Sequence, residues 1–223
     1  MENEITYPNI HSFLSKTMKS SDSLLSEMEE YAEKRYIPII QPESARLLET
    51  LSMIIKPQRI LEVGTAIGYS SIILARTLRP NGIVDTIEME EDIAIIAGQY
   101  IKKAGLEKVI RVLIGDAAEV LQCLGSMYDL VFLDAAKGKY PEFLPHCLRL
   151  LKPGGLLITD NILYKGLVAK TGFIEHKHRT IAVRLKEYIN ELISRKDLTT
   201  SIIPIGDGIA LSYKLNFPTS ACE

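Results

Sequence analysis

The sequence predicts an α/β protein with a doubly wound, mostly parallel sheet, and three observations predict it. Short apolar runs alternate with stretches of helical period between residues 59 and 159, the signature of βαβ units. The run Leu61-Glu62-Val63-Gly64-Thr65-Ala66-Ile67-Gly68-Tyr69-Ser70 passes from strand through glycine turn to helix start. Near the C-terminus, Gly206-Asp207-Gly208 joins two apolar runs as a hairpin, so one strand must run antiparallel. Together these describe a Rossmann-like, seven-stranded sheet with one antiparallel strand in a C-terminal hairpin, preceded by N-terminal helices.

From Pro8 to about residue 35 the chain reads as one or two polar-faced helices, with Ser21-Asp22-Ser23 as break and cap. Pro42 suits the first turn of a helix to residue 55, where Ala45, Leu48, Leu51 and Ile55 form one stripe. Pro57 ends it. Strand 59–63 is apolar and short enough for a buried parallel strand. Helix 69–78, strand 83–87, helix 92–104, strand 110–114 and helix 117–124 follow. Strand 129–133 leads to helix 141–151, and the turn Lys152-Pro153-Gly154-Gly155 to strand 156–159. After an irregular stretch come a helix over about 180–194 and strands 201–205 and 209–215. No repeat, low-complexity tract or linker interrupts the chain. Residues 1–223 therefore read as a single domain, a helical extension (1–56) on a core (57–215).

A chain of 223 residues can bury a large core, and 47% hydrophobic with 24% charged residues is an ordinary globular balance. A net charge of -2 gives no general attraction for nucleic acid or anionic membrane. Charge is uneven, with six Lys or Arg against Glu175 alone from Lys165 to Lys186, and seven acids against three bases from Asp22 to Glu49. Such runs are read as solvated faces. Cys123, Cys147 and Cys222 lack metal spacing and suit reduced thiols in a cytoplasmic protein, the first two as core residues. Residues 1–9 do not resemble a secretion signal, and no apolar stretch approaches a membrane span.

Ligands of open α/β sheets bind beyond the carboxyl ends of the strands, so polar residues there are the site candidates. Gly64 lets the backbone turn, and Gly68 lets a ligand approach the next helix. Glu62 would repel a pyrophosphate but suits a ligand with ammonium and sulfonium charges, which points to S-adenosylmethionine. The turn lacks both the G-x-G-x-x-G pattern and a P-loop Lys-Ser/Thr pair. By itself it equally fits a tight strand-to-helix turn in any α/β domain. Glu88, followed by Met89, stands where an acid receives two ribose hydroxyls. Asp116, followed by Ala117, stands near an adenine edge, or caps the next helix. Asp134, Asp160 and Asn161 end neighbouring strands and together form a hard oxygen set for Mg²⁺, Mn²⁺ or Ca²⁺. An ordinary Asp-Asn turn beside a lone strand-end carboxylate fits the spacing equally well.

L-E-V-G-T-A-I-G-Y-S, T-I-E, G-D-A, Y-D-L-V-F-L-D-A-A-K and L-L-K-P-G-G-L-L-I-T-D-N-I-L-Y-K-G resemble, in order, the metal-dependent class I O-methyltransferases. Within that family the caffeoyl-CoA and catechol O-methyltransferase group and its bacterial relatives match best. The resemblance spans residues 38–213, and D-x-x-K with D-N-x-L carries most of its specificity. It implies that Glu62, Gly64, Thr65, Gly68 and Ser70 surround the methionine end of S-adenosylmethionine, with Ile40 also lining the cofactor. Glu88 and Met89 would take the ribose side, and Asp116 and Ala117 the adenine side. Asp134, Asp160 and Asn161 would bind the divalent cation, Asp134 also facing the cofactor. Lys137 would be the base near the acceptor hydroxyl, although as a residue it reads as a surface lysine at a helix start.

Two positions depart from the family pattern. Ala136 replaces the second acid of D-A-D-K, and Tyr164 replaces the usual Trp after D-N-x-L. The implied substrate is a small aromatic molecule with vicinal hydroxyls, and the implied assembly a homodimer contacting through the N-terminal helices. The rival readings are a hydroxylated tRNA base as acceptor, a nicotinamide-dependent oxidoreductase, and a non-catalytic binding module. His11, His146, His176 and His178 receive no role, the last two falling in the basic loop after the fifth strand.

Overall fold

The computed structural model describes residue 5, residues 7–18 and residues 22–216; Ser21 and Cys222 lie outside that set. Strands apolar on both faces need helices on both sides. Five parallel strands meet that need: β1 (Arg59–Val63), β2 (Ile83–Glu88), β3 (Ile110–Ile114), β4 (Tyr128–Leu133) and β5 (Leu151–Thr159). With β6 (Leu198–Ile203) and β7 (Ile209–Lys214) they form one seven-stranded sheet, ordered β3-β2-β1-β4-β5-β7-β6. β7 is antiparallel to both neighbours, the one reversed strand that the hairpin turn predicts.

On one face lie α2 (Ser23–Arg35), α3 (Pro42–Ile55), α4 (Tyr69–Ala75) and α5 (Glu91–Lys103), where Leu48, Ile72 and Ala97 join the core of Ile60, Val84 and Leu130. The other face carries α6 (Ala117–Cys123), α7 (Tyr140–Leu150) and α8 (His176–Ser194), where Leu121, Leu144 and Leu185 join Leu61, Val63 and Val131. The two-residue period of β1 thus sends Ile60 to one layer and Leu61 and Val63 to the other. Asp22 caps α2 by accepting from the Leu25 N–H at 3.0 Å. The first helix, α1 (Pro8–Thr17), buries none of its residues. It is anchored to Glu43, which meets His11 Nδ1 at 3.0 Å and accepts from the Ser15 hydroxyl at 3.2 Å. Glu43 is only 1% exposed, so it departs from the solvated face read for the acidic run.

Other local expectations are corrected too. Lys152-Pro153-Gly154-Gly155 is an irregularity inside β5, which pairs Tyr128 with Leu151 and resumes with Leu130 opposite Leu156. α8 begins at His176 rather than near 180, because the Glu175 carbonyl accepts the His178 and Arg179 N–H groups without a capping side chain to announce it. His176 and His178 therefore sit on a helix, not in a loop. β6 starts three residues before its predicted position. α4 ends at Ala75, where Thr77 turns its hydroxyl back to the Leu74 carbonyl at 2.7 Å. Cys147 is buried, but Cys123 is exposed: it stands two residues from the core-facing Leu121, on the opposite side of a short helix.

The order of strands reverses between β1 and β4, the switch point where α/β sheets open a crevice. At the opposite end Asp129 ties the strands together. It accepts from the Gln58 and Arg59 N–H groups, both at 2.9 Å, and from Lys152 Nζ at 2.7 Å. Burial opposes the charge, yet the Lys152 ammonium and the two backbone donors hold the Asp129 carboxyl below its usual 3.8. A depressed pKa contributes stability above the ordinary value, which is lost as pH falls through the folded one. Asp129→Ala should therefore cost about 1 kcal/mol near neutrality, the Lys152 arm being partly screened by water. Urea unfolding should show that deficit shrinking as pH drops below 3.8.

Candidate active site

A cavity of about 540 Å³ opens at the carboxyl ends of β1, β2, β4 and β5. The glycine turn forms its floor. Gly64 has φ 106°, and a Cβ there would fall 1.9 Å from the Asp134 carbonyl oxygen. Only glycine permits β1 and β4 to close so tightly. The next residues line the cavity: Thr65, Ala66, Tyr69 and Ser70. Ala66 N–H donates to Glu88 Oε2 at 2.9 Å, while Glu88 Oε1 takes the Met89 and Glu90 N–H groups at 2.9 and 3.0 Å. Three backbone donors thus aim the Glu88 carboxylate at the cavity from the end of β2.

Glu62 is fully buried one layer behind this floor. Its Oε2 accepts from Thr86 Oγ1 at 2.6 Å and from the Ser71 hydroxyl, while Oε1 makes no well-formed hydrogen bond. Burial drives its carboxyl up to about 7, although the hydroxyls of Ser70, Ser71 and Thr86 pull the other way. A buried acid with a spare acceptor behind the turn fits a positively charged ligand end.

Asp134 follows β4, and Asp160 and Asn161 follow β5. The main chain laces these ends together, Asp134 N–H donating to Val63 O at 2.9 Å and Asp160 N–H to Leu133 O at 3.0 Å. All three residues line the cavity, with Lys137 from the single 3₁₀ turn Lys137–Lys139. Asp134 is partly open to the cavity, yet burial lifts its carboxyl to about 6, with Lys137 opposing. Asp160 is 1% exposed, and burial together with the Asp134 charge pushes its carboxyl well above the carboxylate range. Two carboxylates that desolvate and repel one another, beside an amide, are a hard oxygen set whose cost a divalent cation would relieve. The described residues contain no cluster of three or more His, Cys, Asp or Glu in a metal-binding arrangement. Asn161 is the third oxygen donor that such a set would require.

Of the other sequence candidates, Ile40 lines the cavity beside Pro38, Ile39 and Gln41. Gly68 starts α4 with φ 84°, and its missing Cβ faces Ala97 and Ile101 of α5 rather than the cavity. Asp116 caps α6 by accepting the Ala118 N–H at 2.7 Å, and neither it nor Ala117 reaches the cavity wall. Met89 is 62% exposed beside Glu88.

An O-methyltransferase family model matches residues 15–215. The chain belongs to the O-methyltransferase family. It is accordingly an S-adenosylmethionine-dependent enzyme rather than a nicotinamide oxidoreductase or a binding module. Catechol O-methyltransferase of Niastella koreensis is 32% identical over 174 residues, 75% of this chain and 78% of that protein. Caffeoyl-CoA O-methyltransferase of Populus kitakamiensis is 31% identical over 202 residues, 86% of each chain. The O-methyltransferase TomG from Streptomyces achromogenes, solved in complex with SAM, superposes with a TM-score of 0.82 at 28% identity, over 96% of this chain and 99% of that one. No helix among the described residues is long and apolar enough to cross a membrane.

Several residues at or beside this cavity escaped sequence reasoning as site residues. Asp207, from the hairpin turn, lines the cavity with Lys165. His178, on α8, pairs its Nδ1 with the Tyr164 hydroxyl at 2.7 Å, and Lys137 Nζ stands 5.8 Å from the Tyr164 ring centroid. The reversed β7 beside β5 was the available signal for Asp207, because it returns the Gly206-Asp207-Gly208 turn to the carboxyl end of the parallel strands. Gly64→Ala tests the floor. It should lower stability by about 2 kcal/mol or more through strain and clash. Calorimetry with S-adenosylhomocysteine should show cofactor affinity lost in whatever protein remains folded.

Proposed function

We propose that the chain methylates one hydroxyl of a small aromatic molecule bearing vicinal hydroxyls, with a divalent cation held by Asp134, Asp160 and Asn161. The observation that carries this reading is one shared cavity: Gly64, Ser70 and Glu88 on one side, Asp134, Asp160, Asn161 and Lys137 on the other. The relatives, a catechol and a caffeoyl-CoA O-methyltransferase, support a vicinal diol as acceptor.

S-adenosylmethionine supplies an electrophilic methyl group on its sulfonium, and a bound cation supplies positive charge that favours the ionised acceptor. The chain's own residues do the rest. Glu88, preset by three backbone donors, receives the ribose hydroxyls. Gly64 lets β1 and β4 close to form the floor on which the cofactor rests, and the spare Glu62 oxygen favours its positive end. A phenol titrates near ~10 and is mostly protonated at neutral pH. Lys137 Nζ takes that proton as the oxygen attacks. The Tyr164 ring stands behind Lys137, its centroid 5.8 Å from Nζ. Holding oxygen and methyl in line supplies much of the rate advantage.

The same reading places the enzyme in the cytoplasm as a homodimer joined through its N-terminal helices, where Phe13 of α1 and Met53 and Ile54 of α3 are exposed. Sedimentation at twice the 24.9 kDa chain mass is the expected result, and a 24.9 kDa species would remove the dimer. For the chemistry, Asp160→Ala and, separately, EDTA should abolish turnover of a small catechol while S-adenosylhomocysteine still binds. Lys137→Ala should lower kcat by about 100-fold or more. Full activity in metal-free protein would end the role given to the cation.

A further inference from the structure

The segment after β5 follows a path that ordinary residues avoid. Asn161 (φ 57°), Tyr164 (φ 47°) and Lys165 (φ 56°) all occupy the left-handed region, followed by Gly166 at φ 79°. Such residues persist where the surroundings over-determine them. Here the hairpin turn between β6 and β7 does so. Ile162 N–H donates to Gly208 O and Leu163 N–H to Asp207 O, both at 3.0 Å. Lys165 N–H donates to the Asp207 carboxylate. The contact has no slack, since a Cβ on Gly208 would lie 2.3 Å from Leu163 Cγ. From the other side His178 holds the Tyr164 hydroxyl.

We infer that Asp207 is a positioning residue for the acceptor side of the site, fixing through the Lys165 N–H the loop that carries Asn161 and the Tyr164 ring. An Asp in a Gly-Asp-Gly turn ordinarily bonds the backbone of its own turn. This one reaches 42 residues back along the chain. It is 7% exposed, lines the cavity, and lies within electrostatic reach of both Lys137 and Asp160. One carboxylate thereby fixes the loop bearing a cation-ligand candidate and stands opposite the candidate base. A charged acceptor in a closed site makes a stronger bond to a backbone N–H than a neutral one. What is positioned rests on the proposed function; that the loop is held by Asp207 does not.

The test uses full-length Asp207→Ala and Asp207→Asn, compared with wild type by amide hydrogen exchange, Mn²⁺ titration, S-adenosylhomocysteine calorimetry and catechol turnover. In Asp207→Ala, protection of the Leu163 and Lys165 amides should fall by about tenfold or more. Mn²⁺ affinity and kcat should each drop by about tenfold, while S-adenosylhomocysteine affinity stays within about twofold. Asp207→Asn, which keeps an acceptor oxygen, should recover most of the protection and turnover. Unchanged exchange at Lys165 in Asp207→Ala overturns the inference. So does an equal loss of nucleoside affinity, or failure of both variants to fold, since either marks a general structural role. Wild-type protein that binds no Mn²⁺ and methylates no catechol would end the proposed function, and the exchange data would still decide Asp207.

Discussion

The site depends on the closure of three strand ends. Past their last side chains, β1, β4 and β5 continue to exchange backbone hydrogen bonds, Asp134 to Val63 and Asp160 to Leu133. That continuation is possible only because Gly64 lets the Asp134 carbonyl occupy the space of a Cβ. The consequence is chemical as well as geometric. The turn that receives the cofactor in the proposed reaction and the carboxylates assigned to the cation are neighbours through the main chain, not through flexible side chains. Groups held this way need little reorganisation as charge moves in a reaction.

Closure also concentrates negative charge. Asp134, Asp160 and Asp207 line one cavity with Glu62 buried behind its floor, and burial raises the pKa of each. Compare Asp85, just as thoroughly buried at the other end of the sheet. It accepts from Arg59 and Arg111 and from the Tyr128 hydroxyl at 2.8 Å, so its charge is compensated within the fold. A buried acid with two guanidinium partners is a structural tie; three acids within electrostatic reach of the single Lys137, with a fourth buried behind them, are the mark of a site that expects positive charge from outside.

The difference between those acids explains what could be read from sequence. Strand ends and the glycine turn are legible because sheet topology fixes where consecutive residues go, whereas the roles given to the D-x-x-K and D-N-x-L residues rest on the family resemblance. Asp134 and Asp160 lie 26 positions apart, yet parallel pairing of β4 with β5 brings them together. Asp207 obeys no such rule. Its place depends on a carboxylate reaching an N–H in a loop of left-handed residues, and left-handed Tyr164 and Lys165 have no propensity that announces them. His178 was misplaced for a related reason, since α8 begins on a bare backbone cap at Glu175. The Lys152-Pro153-Gly154-Gly155 run looks like a turn because its residues are turn formers, but strand pairing on either side absorbs it as an irregularity.

A division of labour follows from the two kinds of support. The side proposed for the cofactor is built on strand ends whose geometry is set by the sheet. The rest of the cavity wall is assembled from connections: residues 38–41 before α3, the 3₁₀ turn with Lys137, the loop through Lys165, and the hairpin turn with Asp207. Each connection can change its side chains without disturbing the sheet. Tyr164 illustrates this, for its hydroxyl needs a partner and α8 supplies His178. The departure at position 164 is therefore part of a local network reaching from α8 to Lys137. On the proposed reading, the geometry of methyl transfer sits on the sheet, and the acceptor is met by loops that hydrogen bonds from Asp207 and His178 tie to the rest of the fold.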